Sequence, residues 1–280
     1  MKHPRNRTNF AQRTLKNTCL ALLIGAPAIA GGFDADKVIK VSTLSGWKNT
    51  DGTYVTALKV DLAPGWVTYW RIPGDSGIPM QYDWTASKNV GGASIVWPRP
   101  EIDEKYGLTS FVYRDSVVLP IIVVPTNKGQ AAELAGTIEL GVCKDICVPV
   151  QFDISQPLKP ENTRKTAAIN AALKDLPKSA RQAGLSATKC GISPTENGIS
   201  INTTTKMNQD IGKVHAVIEH ADQSFWVGPT STTQKGKNVH AAAEIESETG
   251  SPISIQRQDV RITLLGTREV IDIQGCVGES

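Results

Sequence analysis

Long apolar runs are missing from this chain of 280 residues. Beyond residue 31 no stretch approaches the roughly 20 consecutive apolar residues that cross a bilayer as a helix, so the body of the protein is not expected to span a membrane. Also absent are a Gly-x-Ser-x-Gly elbow, a phosphate loop, a dinucleotide fingerprint and a His-Glu-x-x-His helix. Hydrolase and nucleotide chemistry therefore have no motif to rest on. No cluster of Lys and Arg follows residue 30, which removes the electrostatic footprint of a nucleic-acid binder. Cysteine is sparse, with five residues in all, and their spacing is the more informative for it.

The positive charge is concentrated at the N-terminus. Lys2, Arg5, Arg7, Arg13 and Lys16 stand there without an acid, ahead of the short apolar run Cys19 to Ile24 and the small-residue triplet Ala28-Ile29-Ala30. That is the order of a secretory signal peptide, with cleavage expected after Ala30. These five cations belong to a total of thirty Lys and Arg against twenty-seven Asp and Glu, so the formal net charge of +3 becomes −2 without the leader. Cys19 is expected to leave with it, because Lys16 stands where a lipoprotein site needs a hydrophobic residue. Four cysteines remain. In an oxidising compartment an even number invites pairing, and four allow three connectivities.

The 250 residues after the leader exceed the usual size of one domain and predict two. From Val38 to Phe152 short β-rich runs alternate with Gly, Pro and Asp: Val38 to Trp47, Tyr54 to Leu62, Val67 to Arg71, Ala93 to Trp97, Thr109 to Tyr113, Val117 to Val124 and Gly136 to Leu140. This is the pattern of a β-sandwich over residues 31–156. Gln156-Pro157-Leu158-Lys159-Pro160 reads as a linker, since proline donates no ladder hydrogen bond. The alanine-rich stretch Glu161 to Gln182 reads as a helix, so residues 157–183 are assigned to linker and helix. Strand signals return at Gly198 to Thr203, Lys213 to Glu219, Ser224 to Val227, Val239 to Glu246, Val260 to Leu265 and Glu269 to Ile273. They predict a second, smaller β-sandwich over residues 184–280. The fold class expected is mainly β.

Cys143 and Cys147 follow the strand ending at Leu140 directly. A continuous strand would hold their Cα atoms about 13 Å apart at ~3.3 Å per residue, whereas a disulfide tolerates no more than about 7 Å. Their pairing requires Lys144-Asp145-Ile146 to fold into a tight turn. A loop that short constrains the unfolded chain little, and short exposed disulfides tend to be the reducible ones. Cys190 and Cys276 are eighty-six residues apart and bracket the second β-rich region, so a bond between them reads as a structural staple. All four cysteines on one metal would need both domains to converge, and a lone CxxxC pair is a weak zinc signal. His215, His220 and His240 read as surface or turn residues rather than ligands. Trp66 and Trp70 share one face of their strand, with Tyr69 on the other.

Three segments together resemble the N-terminal periplasmic domain of the DsbD-type thiol:disulfide interchange proteins, and more closely the longer periplasmic region of ScsB proteins. They are Pro64 to Arg71 leading into Pro73-Gly74-Asp75-Ser76-Gly77-Ile78-Pro79; Asp103-Glu104-Lys105-Tyr106-Gly107 leading into Tyr113-Arg114-Asp115 and Leu119-Pro120; and Cys143 to Pro149. The resemblance implies a periplasmic immunoglobulin-like sandwich in which Cys143 and Cys147 cycle between dithiol and disulfide. It further implies that they exchange electrons with thioredoxin-like proteins or domains, without a cofactor. It also implies a cap loop that shields the pair, matched by Asp103, Glu104 and Tyr106. A carboxylate lying over a cysteine raises its pKa, whereas a cation such as Lys144 lowers it. Two departures stand out. Lys105 occupies the position of a phenylalanine, and three residues separate the cysteines where DsbD-type domains have five. The family's membrane core is not in this chain, so a separate membrane electron donor is expected. The competing reading is a non-catalytic, disulfide-stapled β adaptor or metal-binding module of an envelope stress system.

Overall fold

The computed structural model describes residues 34–159, 161–222, 224–247 and 253–278; the expected leader and its cleavage site lie outside them. The first half forms ten strands: β1 (Ile39–Lys48), β2 (Tyr54–Leu62), β3 (Val67–Gly74), β4 (Gln81–Asp83), β5 (Val90–Ile95), β6 (Glu101–Lys105), β7 (Leu108–Arg114), β8 (Ser116–Pro125), β9 (Ala132–Cys143) and β10 (Cys147–Leu158). They make two sheets, ordered β1-β2-β8-β5 and β10-β9-β3-β7-β6, with β4 also paired to β9. Alternating side chains from both sheets meet between them. Leu58, Leu119 and Ile121 come from one sheet, and Trp70, Ile138 and Leu140 from the other, all essentially inaccessible to water. Trp70 and Phe111 pack edge to face at 6.0 Å, the arrangement that aligns ring edge with ring face electrostatically. Apolar residues at every second position of a strand produce this layer.

The helix α1 (Ala167–Lys174) follows, then β11 (Lys178–Ser179), β12 (Lys189–Pro194), β13 (Gly198–Lys206), β14 (Val214–His220), β15 (Phe225–Val227), β16 (Ser231–Lys235), β17 (Asn238–Ser247), β18 (Val260–Gly266), β19 (Val270–Gln274) and β20 (Val277–Gly278). Two further sheets, β11-β19-β18-β14 and β15-β17-β13-β12-β20, enclose a second core built around Ile201, Ile218, Ile245, Ile262 and Ile271. The outer edge of β14 is closed by side chains. The backbone N–H groups of Val214, Ala216 and Ile218 donate to Gln234 Oε1, Thr232 Oγ1 and Thr230 Oγ1 at 2.9–3.1 Å. Those donors are thereby removed from the edge, where unpaired they invite strand addition.

The architecture is mainly β, an immunoglobulin-like sandwich followed by a helix and further sandwich-like sheets. Two local expectations are corrected. The supposed linker is strand as far as Leu158, because β10 is the edge of its sheet and proline's missing donor at 157 is harmless there. The helix is eight residues long rather than the whole of Glu161 to Gln182, and it ends ahead of Pro177. Its Ile169 is fully buried against Trp47, Val55 and Ala57 on the outer face of the first sheet. From Asp34 onward the chain clusters as one compact unit. Val217, Leu265 and Val270 of the second sandwich join the core of the first.

Candidate redox site

The long hairpin β9–β10 sets the geometry of the cysteines. Its register places Cys143 directly opposite Cys147, and Lys144-Asp145-Ile146 makes the reversal, with the Lys144 N–H donating to Ile146 O at 3.2 Å. The sulfurs are bonded and the Cα atoms lie 4.1 Å apart. The second disulfide joins Cys190 and Cys276, where the start of β12 runs parallel to β20. Cys190 is wholly buried in the second core.

The two sulfurs of the first pair differ in surroundings. Cys143 is 5% exposed and packs with Val67, Tyr69 and Val112 in a small apolar cluster on the outer face of its sheet. Cys147 is exposed, and so are Lys144, Asp145 and Ile146 beside it. Tyr69 lies across the pair, its hydroxyl 3.6 Å from Cys147 Sγ. Burial pushes the Tyr69 phenol above its ordinary pKa, with the nearby Asp103 carboxylate adding to the rise, so it remains a protonated donor at neutral pH.

Gly77 makes that position possible. A Cβ there would lie 2.3 Å from Tyr69 Cε1, and its φ of +120° is one that side chains disfavour. On the other flank Lys144 folds across Gly65, where a Cβ would come within 3.2 Å of its Cε.

The residues matched to a cap loop divide. They form the β6–β7 hairpin, whose two-residue turn Tyr106-Gly107 has positive φ at both positions, the geometry of a type I′ turn. Tyr106 is fully exposed at the tip and covers neither sulfur. Asp103 pairs with Arg114 at 2.9 Å and Lys105 at 3.2 Å. Glu104 turns to the second sandwich, meeting Lys213 Nζ at 2.6 Å and His215 Nε2 at 3.2 Å. The Lys213 hydrogen bond and charge hold the Glu104 carboxyl below its usual range, and burial holds His215 below its own. The aromatic ring resting on the pair is Tyr69.

His220 Nδ1 accepts from the Asp222 N–H, and His240 Nδ1 lies 3.0 Å from Thr204 Oγ1. Among the described residues no group of three or more His, Cys, Asp or Glu is placed to hold a metal, and no helix is long and apolar enough to cross a membrane. Two clefts, of about 850 and 910 Å³, include neither Cys143 nor Cys147 in their linings. Thiol exchange needs an accessible sulfur and an in-line approach rather than an enclosing pocket.

An immunoglobulin-like sandwich that carries a half-exposed disulfide on a hairpin defines the class. Residues 35–159 match the family model described as thiol:disulfide interchange protein DsbD, N-terminal. The chain is similar in structure to the N-terminal periplasmic domain of ScsB from Proteus mirabilis, with a TM-score of 0.63 and 20% identity, over 89% of this chain and 97% of that one. A second match is the N-terminal domain of Neisseria meningitidis DsbD in the reduced form, with 15% identity, a TM-score of 0.26, and coverage of 45% of this chain and 95% of that one. No curated protein matches the sequence. The resemblance drawn from the three sequence segments therefore stands on a family match over the first sandwich and a shared fold over most of the chain.

Proposed function

We propose that this protein passes electrons by thiol–disulfide exchange in the periplasm through Cys143 and Cys147, between thioredoxin-like proteins or domains and a separate membrane electron donor. The observation that carries the reading is the asymmetric pair: an exposed Cys147 bonded to a buried Cys143 at a hairpin tip, inside a region that matches a thiol:disulfide interchange family. In the reduced protein the Cys147 thiolate attacks one sulfur of a partner disulfide, forming a mixed disulfide and expelling the partner's other sulfur as thiolate. Cys143, on losing its proton, then attacks Cys147 Sγ and expels the remaining partner thiolate. Two electrons and two protons leave the Cys143/Cys147 dithiol, and the partner's disulfide becomes a dithiol. Running backwards, the same steps reload the pair from a reduced donor.

Tyr69 positions and tunes this chemistry. A phenol aimed at Cys147 donates to the thiolate more strongly than to the neutral thiol, which lowers the cysteine's pKa. Tyr69→Phe keeps the ring and removes the donor. A hydrogen bond to a charged group contributes about 1.5–3 kcal/mol, so the midpoint of Cys147 alkylation in the reduced protein is expected to rise by about one to two pH units. Gly77→Ala drives the same ring away and is expected to raise the midpoint in the same direction, while destabilising the fold by about 1–3 kcal/mol. Unchanged midpoints in both variants would remove Tyr69 from the account.

The function itself is tested by mixing the reduced protein with an oxidised thioredoxin-like domain and mapping the thiols. Two thiols per molecule should disappear from Cys143 and Cys147 alone as two appear on the partner, while Cys190 and Cys276 stay bonded throughout. No thiols gained by the partner would reject exchange through this pair.

A further inference from the structure

The reversal that brings Cys143 to Cys147 carries a residue the turn does not need. Asp145 is a common turn former, whereas the β-branched side chain of Ile146 is suited to strands. Ile146 is 66% exposed, more than any other large aliphatic residue among those described. It joins none of the apolar clusters that hold the two sandwiches. Its backbone carbonyl accepts from the Lys144 N–H across the turn, a bond that any residue supplies. Single exposed aliphatic residues are common on protein surfaces; what distinguishes Ile146 is its place, directly before the exposed sulfur of Cys147.

In a mixed disulfide the partner's cysteine Cα lies within about 7 Å of that of Cys147, and the Cα of Ile146 is about 3.8 Å from it along the chain. Even a small redox interface, of about 500 Å² on each side, extends roughly 13 Å from its centre. A folded protein bonded to Cys147 therefore covers Ile146 near the middle of the contact, where the residues that carry binding energy concentrate. The surroundings set the chemistry of that protein. Pro149, two residues beyond Cys147, is exposed, and Lys144 folds across exposed Gly65, which follows exposed Pro64. Lys144 and Asp145 cancel in charge, so the turn offers a partner apolar surface and no net charge.

We propose that Ile146 is the apolar anchor by which this protein recognises its exchange partners, seated against an uncharged, apolar surface beside the reactive cysteine of a thioredoxin-like domain. The inference rests on the exchange reading above and adds how a protein disulfide is told from a small one. Glutathione disulfide reaches Cys147 without covering Ile146, and a folded domain does not. The test measures the rate at which the reduced full chain transfers thiols to an oxidised thioredoxin-like domain and, separately, to glutathione disulfide. Ile146→Ser is expected to slow transfer to the domain about tenfold, the order for an aliphatic side chain lost from the centre of a contact, and to change the glutathione rate by less than about twofold. Ile146→Leu keeps the apolar area and should restore most of the domain rate. Val124→Ala trims an exposed aliphatic residue from β8 in the other sheet and should leave both rates in place.

The two oxidants separate docking from reactivity. An equal loss with both in Ile146→Ser would mean that the turn had changed the cysteine itself, and overturns the inference. Unchanged transfer to the domain overturns it too, as does a loss in Ile146→Leu as large as that in Ile146→Ser. Unchanged transfer together with a wild-type dimer that Ile146→Ser dissolves, read by sedimentation, would assign the residue to a second copy of the chain instead. A wild-type protein that transfers nothing to the domain rejects the exchange reading and this inference with it, whereas equal transfer by wild type and variants rejects the inference alone.

Discussion

Cys143→Ser is expected to convert a transient exchange into a stable covalent complex, whereas Cys147→Ser ends exchange altogether. The exposed sulfur, Cys147, is the one that a partner's disulfide can reach in line. With a hydroxyl in place of the resolving thiol, the mixed disulfide has no internal nucleophile to break it, so it accumulates toward one partner per molecule. Non-reducing electrophoresis and mass spectrometry of the linked peptides read this directly. In Cys147→Ser the remaining thiol is 5% exposed beneath Val67, Tyr69 and Val112, and both complex and thiol transfer should fall to the background of an unrelated buried cysteine. A trapped complex in Cys147→Ser but not in Cys143→Ser would reverse the assigned roles.

Removing the second disulfide should cost stability and spare chemistry. The chain-entropy treatment assigns about 4 to 5 kcal/mol to a loop of eighty-six residues and only about 2 kcal/mol to the four-residue separation of Cys143 and Cys147. Replacing Cys190 and Cys276 by Ala also leaves a void where Cys190 was fully buried, and frees β20 from its covalent tie. For a chain of this size a loss of that order lowers Tm by roughly 10–15 °C. The Cys143/Cys147 pair should still transfer two electrons per molecule at temperatures where the variant is folded. Breaking the first disulfide by mild reduction should shift Tm far less. Equal losses from the two bonds would argue that both are staples.

The fold class was legible because strand periodicity and punctuation are local. The short β-rich runs at residues 54–62 and 117–124 predict β2 and most of β8, whereas the turn expected at Pro73-Gly74 is the end of β3. Proline was over-read at position 157, since only the assembled sheet reveals that β10 is an edge and tolerates it. Of the site, the cysteines were readable from spacing. The alternation of Trp66, Tyr69 and Trp70 had already separated the tyrosine from the tryptophans. Trp70 is core, and Tyr69 lies on the sulfur; its register against the hairpin was the missing fact. Nothing local could join Glu104 to Lys213, because that contact spans 109 residues and depends on how the two sandwiches dock. The same holds for Gly77, whose role is visible only once the Tyr69 ring occupies the space its side chain would need.

That Cys143 and Cys147 are a working redox pair is the claim tested by a glutathione redox titration of residues 31–280 with mass-spectrometric mapping of each cysteine. The claim predicts that these two open together, well before Cys190 and Cys276, within about −120 to −230 mV, where exchange proteins operate. Retention of the Cys143–Cys147 bond below about −300 mV, in the range of structural disulfides, would contradict it and leave a protein held by two staples.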